Sequence, residues 1–328
     1  MMKKQYSHLV LFLSLCTLTA CNDSKNEDSI DPDPLPPSIT YHVEGYAELG
    51  AFDHNSTLTV FPLDKSLAHI EEQAYGGKVE TDYGLFSASG NMKFQESLYF
   101  EVQVTGNFFN GTKGRRSEHK TTLRAINHVI NHADEERSIN RYIKLPATNV
   151  NIFTQLTAAR ICTLLKKAAG YNEMSHTITD IYRNASEQAL KEVLTAFSIS
   201  DIYVSMLSID PTRASFSQYN APASMMAAVS NILLTSVDEE LLDTFFTEWD
   251  KDFAPDGRID NEDIKESIRD GQQSLKYTNV YKQLDSFYKA YDFKSDFPEF
   301  WKFVLSYYFH MIGQYYKIND YECGAVLP

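Results

Sequence analysis

Apolar spacing changes once along this chain, near residue 149, and that change constrains the fold more than any other feature. From Ile39 to about Leu123, short runs rich in Val, Tyr, Phe and Thr alternate with Gly, Asn and Asp. In Thr57-Leu58-Thr59-Val60-Phe61 polar and apolar residues alternate, as a strand with one buried face requires. Strands are expected at 39–46, 57–63, 78–81, 85–89 and 98–105, with turns at Gly76-Gly77, Gly90-Asn91 and Asn110-Gly111. Short strands at this spacing suit a small β-sandwich. Beyond residue 149 the period is helical: Leu241, Leu242, Phe245, Phe246, Trp249 and Phe253 share one helix face. Helices are expected at 150–170, 176–197, 222–236, 238–252, 261–274, 278–292 and 296–316. The fold class is therefore α+β: a small β-sandwich over 39–123, a connector over 124–148 and an all-α domain over 149–328.

The N-terminus bears on location. Lys3 and Lys4 precede an apolar run, Leu9 to Leu18, that is too short to cross a hydrocarbon core of ~30 Å as a helix. The residues that follow, Leu18-Thr19-Ala20-Cys21, resemble the lipobox of bacterial lipoproteins. The resemblance implies that residues 1–20 are a signal peptide and that Cys21 carries diacylglycerol. The alternative is an ordinary secretory signal cut near Ala20. Each acyl CH₂ buried in the bilayer adds ~0.8 kcal/mol, so several chains at one site hold firmly. The expected location is the bacterial cell envelope, at the outer membrane, facing the periplasm or the surface.

Cleavage removes 20 residues and two lysines, leaving 308 residues and shifting the formal charge from −14 to −16. So acidic a balance excludes a basic nucleic-acid surface as the global theme. Residues 21–38 are acidic and proline-rich, the composition of a tether. Of the four cysteines, Cys16 leaves with the signal and Cys21 is the anchor. Cys162 and Cys323 remain, and they are expected to be unpaired rather than bridged, since a bridge demands a fixed geometry.

Two further stretches carry a family resemblance. Thr81-Asp82-Tyr83-Gly84-Leu85-Phe86 resembles the T-D-x-G-x-F turn of carboxypeptidase-regulatory-like (prealbumin-like) β-sandwiches. Asn149-Val150-Asn151-Ile152-Phe153-Thr154-Gln155-Leu156, followed by Arg160, looks like an N-V-N-x-x-T-x-L-x-x-x-R helix opening. That pairing resembles largely uncharacterised surface lipoproteins of Gram-negative bacteria, and it implies architecture and location but no activity. Asn149 or Asn151 can cap the helix. Arg160 either fixes the interdomain contact through a buried carboxylate or lies solvated with its stem packed.

The chemistry-bearing candidates are few. Counting Asp252 as position 1 of a loop puts Asp256 at 5, Gly257 at 6, Arg258 at 7, Asp260 at 9 and Asp263 at 12, close to an EF-hand calcium loop. Position 3 is Ala254, which offers no side-chain ligand, and position 12 is Asp rather than the usual Glu, so a Ca²⁺ site here would be weak. The other reading is a Pro-Asp-Gly turn with Asp260 capping the next helix.

Lys113, Arg115, Arg116 and Lys120 form a basic island that either binds an anionic glycan or headgroup or is a solvated loop. His128 and His132 would share a face of a helix, but Val129 stands where a zinc-protease helix needs Glu. The tyrosines of the aromatic-rich 277–321 stretch are expected to pack in the core, with Tyr307, Tyr316 and Tyr321 off the main apolar face. No G-x-S-x-G, G-x-x-x-x-G-K-[ST] or G-x-G-x-x-G motif is present. The expected function is thus a membrane-anchored, non-enzymatic lipoprotein that binds an envelope protein or a glycan. The alternative is an envelope hydrolase, acting on glycan or peptide, with its site on the helical domain.

Overall fold

The computed structural model describes residues 39–92, 98–129, 142–173, 177–218, 220–293, 297 and 300–304. Strand β1 (Ile39–Glu48) organises the sheet. It pairs antiparallel with β4 (Leu85–Met92), which continues through β3 (Tyr75–Val79), β2 (Thr57–Leu63) and β5 (Tyr99–Gly106) to β8 (Thr121–His128). The other side of β1 takes two short parallel partners, β9 (Tyr142–Lys144) and β10 (Val150–Asn151). A separate ribbon joins β6 (Phe109–Asn110) to β7 (Arg115–Arg116). Among the described residues the pairing thus runs through one curled mixed sheet and one ribbon, and a sandwich of two facing sheets does not follow from it. The connector expected at 124–148 begins inside β8 and contributes β9.

β2 keeps the expected alternation, with Leu58 and Val60 fully buried and Thr57 exposed. Two expected turns are strand instead. Gly76 and Gly77 lie in β3 opposite Thr59 and Leu58, and Gly90 lies in β4 opposite Tyr41. A Cβ on Gly90 would stand 2.2 Å from the ring of Tyr75, so this glycine serves close packing between strands rather than chain reversal. Asn110-Gly111 does begin a turn. The T-D-Y-G-L-F stretch also turns: Gly84 takes φ +89°, its carbonyl accepts from Ala47 N at 2.8 Å, and Phe86 is fully buried.

The helices begin where side chains can cap them. Asn151 accepts from Thr154 N while Thr154 Oγ1 accepts from Asn151 N, a capping box that opens α1 (Ile152–Lys167). Its neighbour Asn149 accepts from Tyr46 N and donates to Ala214 O, tying the helix start to β1 and to the loop before α4. Then come α2 (Ile178–Ala196), α3 (Ile202–Met206), α4 (Ala221–Ser236), α5 (Leu242–Phe253), α6 (Glu262–Ser274), α7 (Tyr277–Lys289) and α8 (Phe300–Val304). Asn220 and Asn261 cap α4 and α6.

On α5 the expected face is buried, except that Leu241 sits in a 3₁₀ turn before the helix and is half exposed. Trp249 is fully buried and donates to Leu156 O at 2.9 Å. Helix α1 packs on β8, α2 and α5, and a single apolar cluster runs from Tyr41 and Val60 in the sheet to Trp249 and Leu284 in the helices. The described residues therefore belong to one compact unit. No helix of the described residues is long and apolar enough to cross a membrane.

Candidate functional site

A cleft of about 500 Å³ opens where the end of β8 meets α2, α3 and the loop after α3. Its wall holds Asn127, His128, Thr179 and Tyr182, and its mouth holds Arg183, Glu187, Ser205, Asp210 and Arg213. β8 positions His128: Tyr99 of β5 stands opposite it in the ladder, and the ring stacks on Tyr182 with centroids 4.8 Å apart. Tyr182 is itself fixed, donating its hydroxyl to Ile126 O at 2.6 Å. Burial pushes His128 down to about 4, so the imidazole is neutral at ordinary pH.

At the mouth, Glu187 accepts from Lys191 and Ser205, both at 2.8 Å, and these bonds hold its carboxyl below the usual range. Asp210 accepts from Thr212 N and Thr212 Oγ1. Ile202 and Met206 on α3 are each 62% exposed, and Leu207 follows them. Ser198 and Ser208, on either side of α3, both adopt positive φ, an uncommon conformation for serine.

Apart from His128, the sequence-derived candidates among the described residues fall outside this cleft. His128 is on a strand, not a helix, because the β pattern extends past Leu123; His132 lies outside the described residues. Cys21, Cys323, Tyr307, Tyr316 and Tyr321 also lie outside them. Cys162 is unbridged, and burial pushes its thiol up to about 11.

In the 252–263 loop the carboxylates serve the turn. Asp252 Oδ2 accepts from Asp260 N and Asn261 N at 2.8 and 3.0 Å, and Asp256 Oδ1 accepts from Arg258 N at 3.0 Å. The cap of α6 is Asn261, which accepts from Asp263 N, so Asp260 does not fill that role. Among the described residues no group of three or more His, Cys, Asp or Glu is arranged to hold a metal ion. The loop's backbone is bound instead by Arg160, whose Nη1 donates to Pro255 O and Ala254 O at 2.9 and 3.2 Å.

The basic island is largely neutralised. Lys113 pairs with buried Glu239 at 3.0 Å, Arg115 with Glu118 at 3.0 Å, and Arg116 with Asp53 at 2.6 Å. Arg116 also donates to Ala51 O and Asp82 O and stands over the Phe287 ring. Lys120 is exposed. An anion would have to compete with the carboxylates already in place at Lys113, Arg115 and Arg116. The physical reason lies in the fold: the ribbon brings residues distant in sequence, Asp53, Asp82 and Glu239, against them.

A buried charged network joins sheet to helix at another place. Glu101 on β5 meets His69 at 3.2 Å and Arg124 at 3.6 Å, and Arg124 also pairs with Asp250 of α5. Burial pushes the Glu101 carboxyl up, but the His69 hydrogen bond and the Arg124 charge outweigh it and hold the group below its ordinary value. For Asp250 burial wins, and the carboxyl rises to about 6. This network binds the α5 face to the sheet and lines no cleft described above.

Comparison with protein-family models, with curated proteins and with solved structures finds no match to the chain.

Proposed function

We propose that this chain is a lipid-anchored lipoprotein of the bacterial envelope that binds a segment of another envelope protein in the cleft between β8, α2 and α3. The anchor rests on Lys3, Lys4, the Leu9–Leu18 run and the lipobox ending at Cys21. The carboxypeptidase-regulatory-like relation belongs to the same reading, carried by the Gly84 turn. The binding role is carried by one observation: a cleft with hydroxyl, amide and charged groups of both signs, lined in part by α3, the short helix on which Ile202 and Met206 are exposed. Polar walls read a peptide backbone, and exposed apolar side chains on the same helix take a partner's side chains from water. A photo-crosslinker placed at Met206 in the native envelope tests it, with one at Lys265 as control. A discrete adduct formed only from Met206, and lost in Ile202→Asp, is expected. Equal labelling from both positions, or labelling indifferent to Ile202→Asp, overturns the proposal.

A second reading, an envelope hydrolase, is favoured by one observation in the same cleft: His128 Nε2 lies 3.1 Å from the hydroxyl of Thr179.

A further inference from the structure

We infer that Thr179 and His128 form a nucleophile–base pair for acyl transfer from a carboxylic ester, with Asn127 orienting the imidazole. This rests on the hydrolase reading and names its reaction and residues. The argument begins at a backbone carbonyl. Thr148 Oγ1 donates its only proton to Pro146 O at 2.8 Å, so toward Asn127 it can only accept. Asn127 Nδ2 supplies that donor at 2.9 Å, which turns Asn127 Oδ1 toward His128. There Oδ1 accepts from His128 N at 2.8 Å and from Nδ1 at 3.1 Å. The proton of the neutral ring therefore sits on Nδ1, and Nε2 carries a lone pair. Its partner is Thr179 Oγ1 at 3.1 Å, which must donate. A chain of five groups, each direction following from the one before, thus ends on a hydroxyl polarised by an imidazole in the cleft wall. That is the nucleophile, base and orienting group of covalent acyl transfer.

Position adds to this. Thr179 is the second residue of α2, in a first turn whose N–H groups have no partner within the helix and lie at the positive end of its dipole. Such donors stabilise a developing oxyanion. In the reaction Thr179 Oγ1 bonds to the ester carbonyl carbon while its proton passes to His128 Nε2. The bond from that carbon to the alcohol oxygen then breaks, and the alcohol leaves with the proton from Nε2. Water, again deprotonated by Nε2, adds to the threonyl ester; the acid leaves and Oγ1 recovers its proton. A weakly basic imidazole suits an ester better than an amide, since an ester carbonyl is the more readily attacked.

The test uses the full chain with p-nitrophenyl acetate. A burst of p-nitrophenol and an acetyl adduct at Thr179, found by mass spectrometry, are expected. Thr179→Val, which deletes the hydroxyl and keeps the shape, should lose both with at least about a 100-fold drop in rate, and Thr179→Ser should restore them. Unfolding midpoints of the two variants show that each is folded. Hydrolysis that persists in folded Thr179→Val without an adduct overturns the assignment to Thr179 but leaves a hydrolase with another site. No turnover of the ester by the wild-type chain, nor of a glycan or peptide panel, removes the hydrolase reading as well.

Discussion

Arg160 and Glu192 meet through two hydrogen bonds, Nε to Oε2 at 2.7 Å and Nη2 to Oε1 at 3.0 Å. The pair links α1 to α2, and the remaining guanidinium nitrogen holds the 252–263 loop by its carbonyls. Arg160 is 4% exposed, so it is packed rather than solvated; its carboxylate partner is part-buried and lies in the same helical half, so the pair is not the interdomain contact expected. Arg160→Met keeps the aliphatic stem; Glu192 is then left with Gln188 Nε2 at 2.9 Å, Pro255 O with Lys167 Nζ at 3.3 Å, and Ala254 O loses the Arg160 donor. Urea unfolding should show a loss of about 3 kcal/mol, the range for breaking a buried pair. A loss below about 0.5 kcal/mol would mean that water replaces the guanidinium, as at an exposed ion pair.

Asp252 accepts two backbone N–H groups eight and nine residues ahead of it. Asp252→Ala should therefore cost about 1–2 kcal/mol by stranding those donors. If the carboxylate works for the turn, the loss is the same with chelator and with about 10⁻³ M Ca²⁺. A larger loss in the presence of Ca²⁺, measured by thermal unfolding, would restore the calcium site.

Glu48 is fully buried, with Phe216 N and Ser215 Oγ donating to it at 3.0 and 3.1 Å. Burial outweighs those bonds and pushes its carboxyl from 4.5 up to about 8. A raised folded value means the folded state holds the proton more tightly. Its contribution to stability is full below pH 4.5 and is lost as pH rises through about 8. Glu48→Gln should flatten that decline, so that its stability relative to the wild-type chain is greater at pH 9 than at pH 5. An identical pH profile for the two chains rules this group out as the source.

His128 titrates in the opposite sense. Its folded value lies at about 4, below the ordinary 6.5, because the buried ring resists charge. The stability it contributes is full above pH 6.5 and is lost as pH falls through about 4. His128→Gln should remove part of the acid limb of the unfolding curve. An unchanged acid limb assigns that limb to other groups.

Much of this architecture can be read in the sequence. The strand 57–63 and the helix runs of α2, α5, α6 and α7 show in apolar period, because each buries one continuous face, while α4 shows as an apolar run because it is buried all round from Ala223 to Leu234. What period could not show is pairing at a distance. Gly76, Gly77 and Gly90 read as turns, since a glycine's need for a close neighbour is invisible until the neighbour, here Tyr75 for Gly90, is in place. The cations of the 113–120 stretch read as a free patch, because Asp53 and Glu239 are remote along the chain. The cleft was hidden for the same reason. Asn127 and His128 stand next to each other in sequence, but Thr179 comes 51 residues after His128. The one available signal was a polar Asn-His at the end of a strand otherwise half apolar, where a paired polar group inside the core is the rule.

The parallel partners of β1 set the order in which this molecule can assemble. β1 is the first strand made, yet Tyr46 waits for Asn149, 103 residues on, and Glu48 for Phe216, 168 residues on. Closing such long loops makes contact order high and folding slow. Until the chain has passed residue 151 one side of β1 lacks its strand partners, and until it has passed residue 216 a buried carboxyl lacks its own. A fragment ending at residue 123 would present that side to any passing strand, and with one apolar cluster shared by sheet and helices a single unfolding midpoint is expected for the two parts.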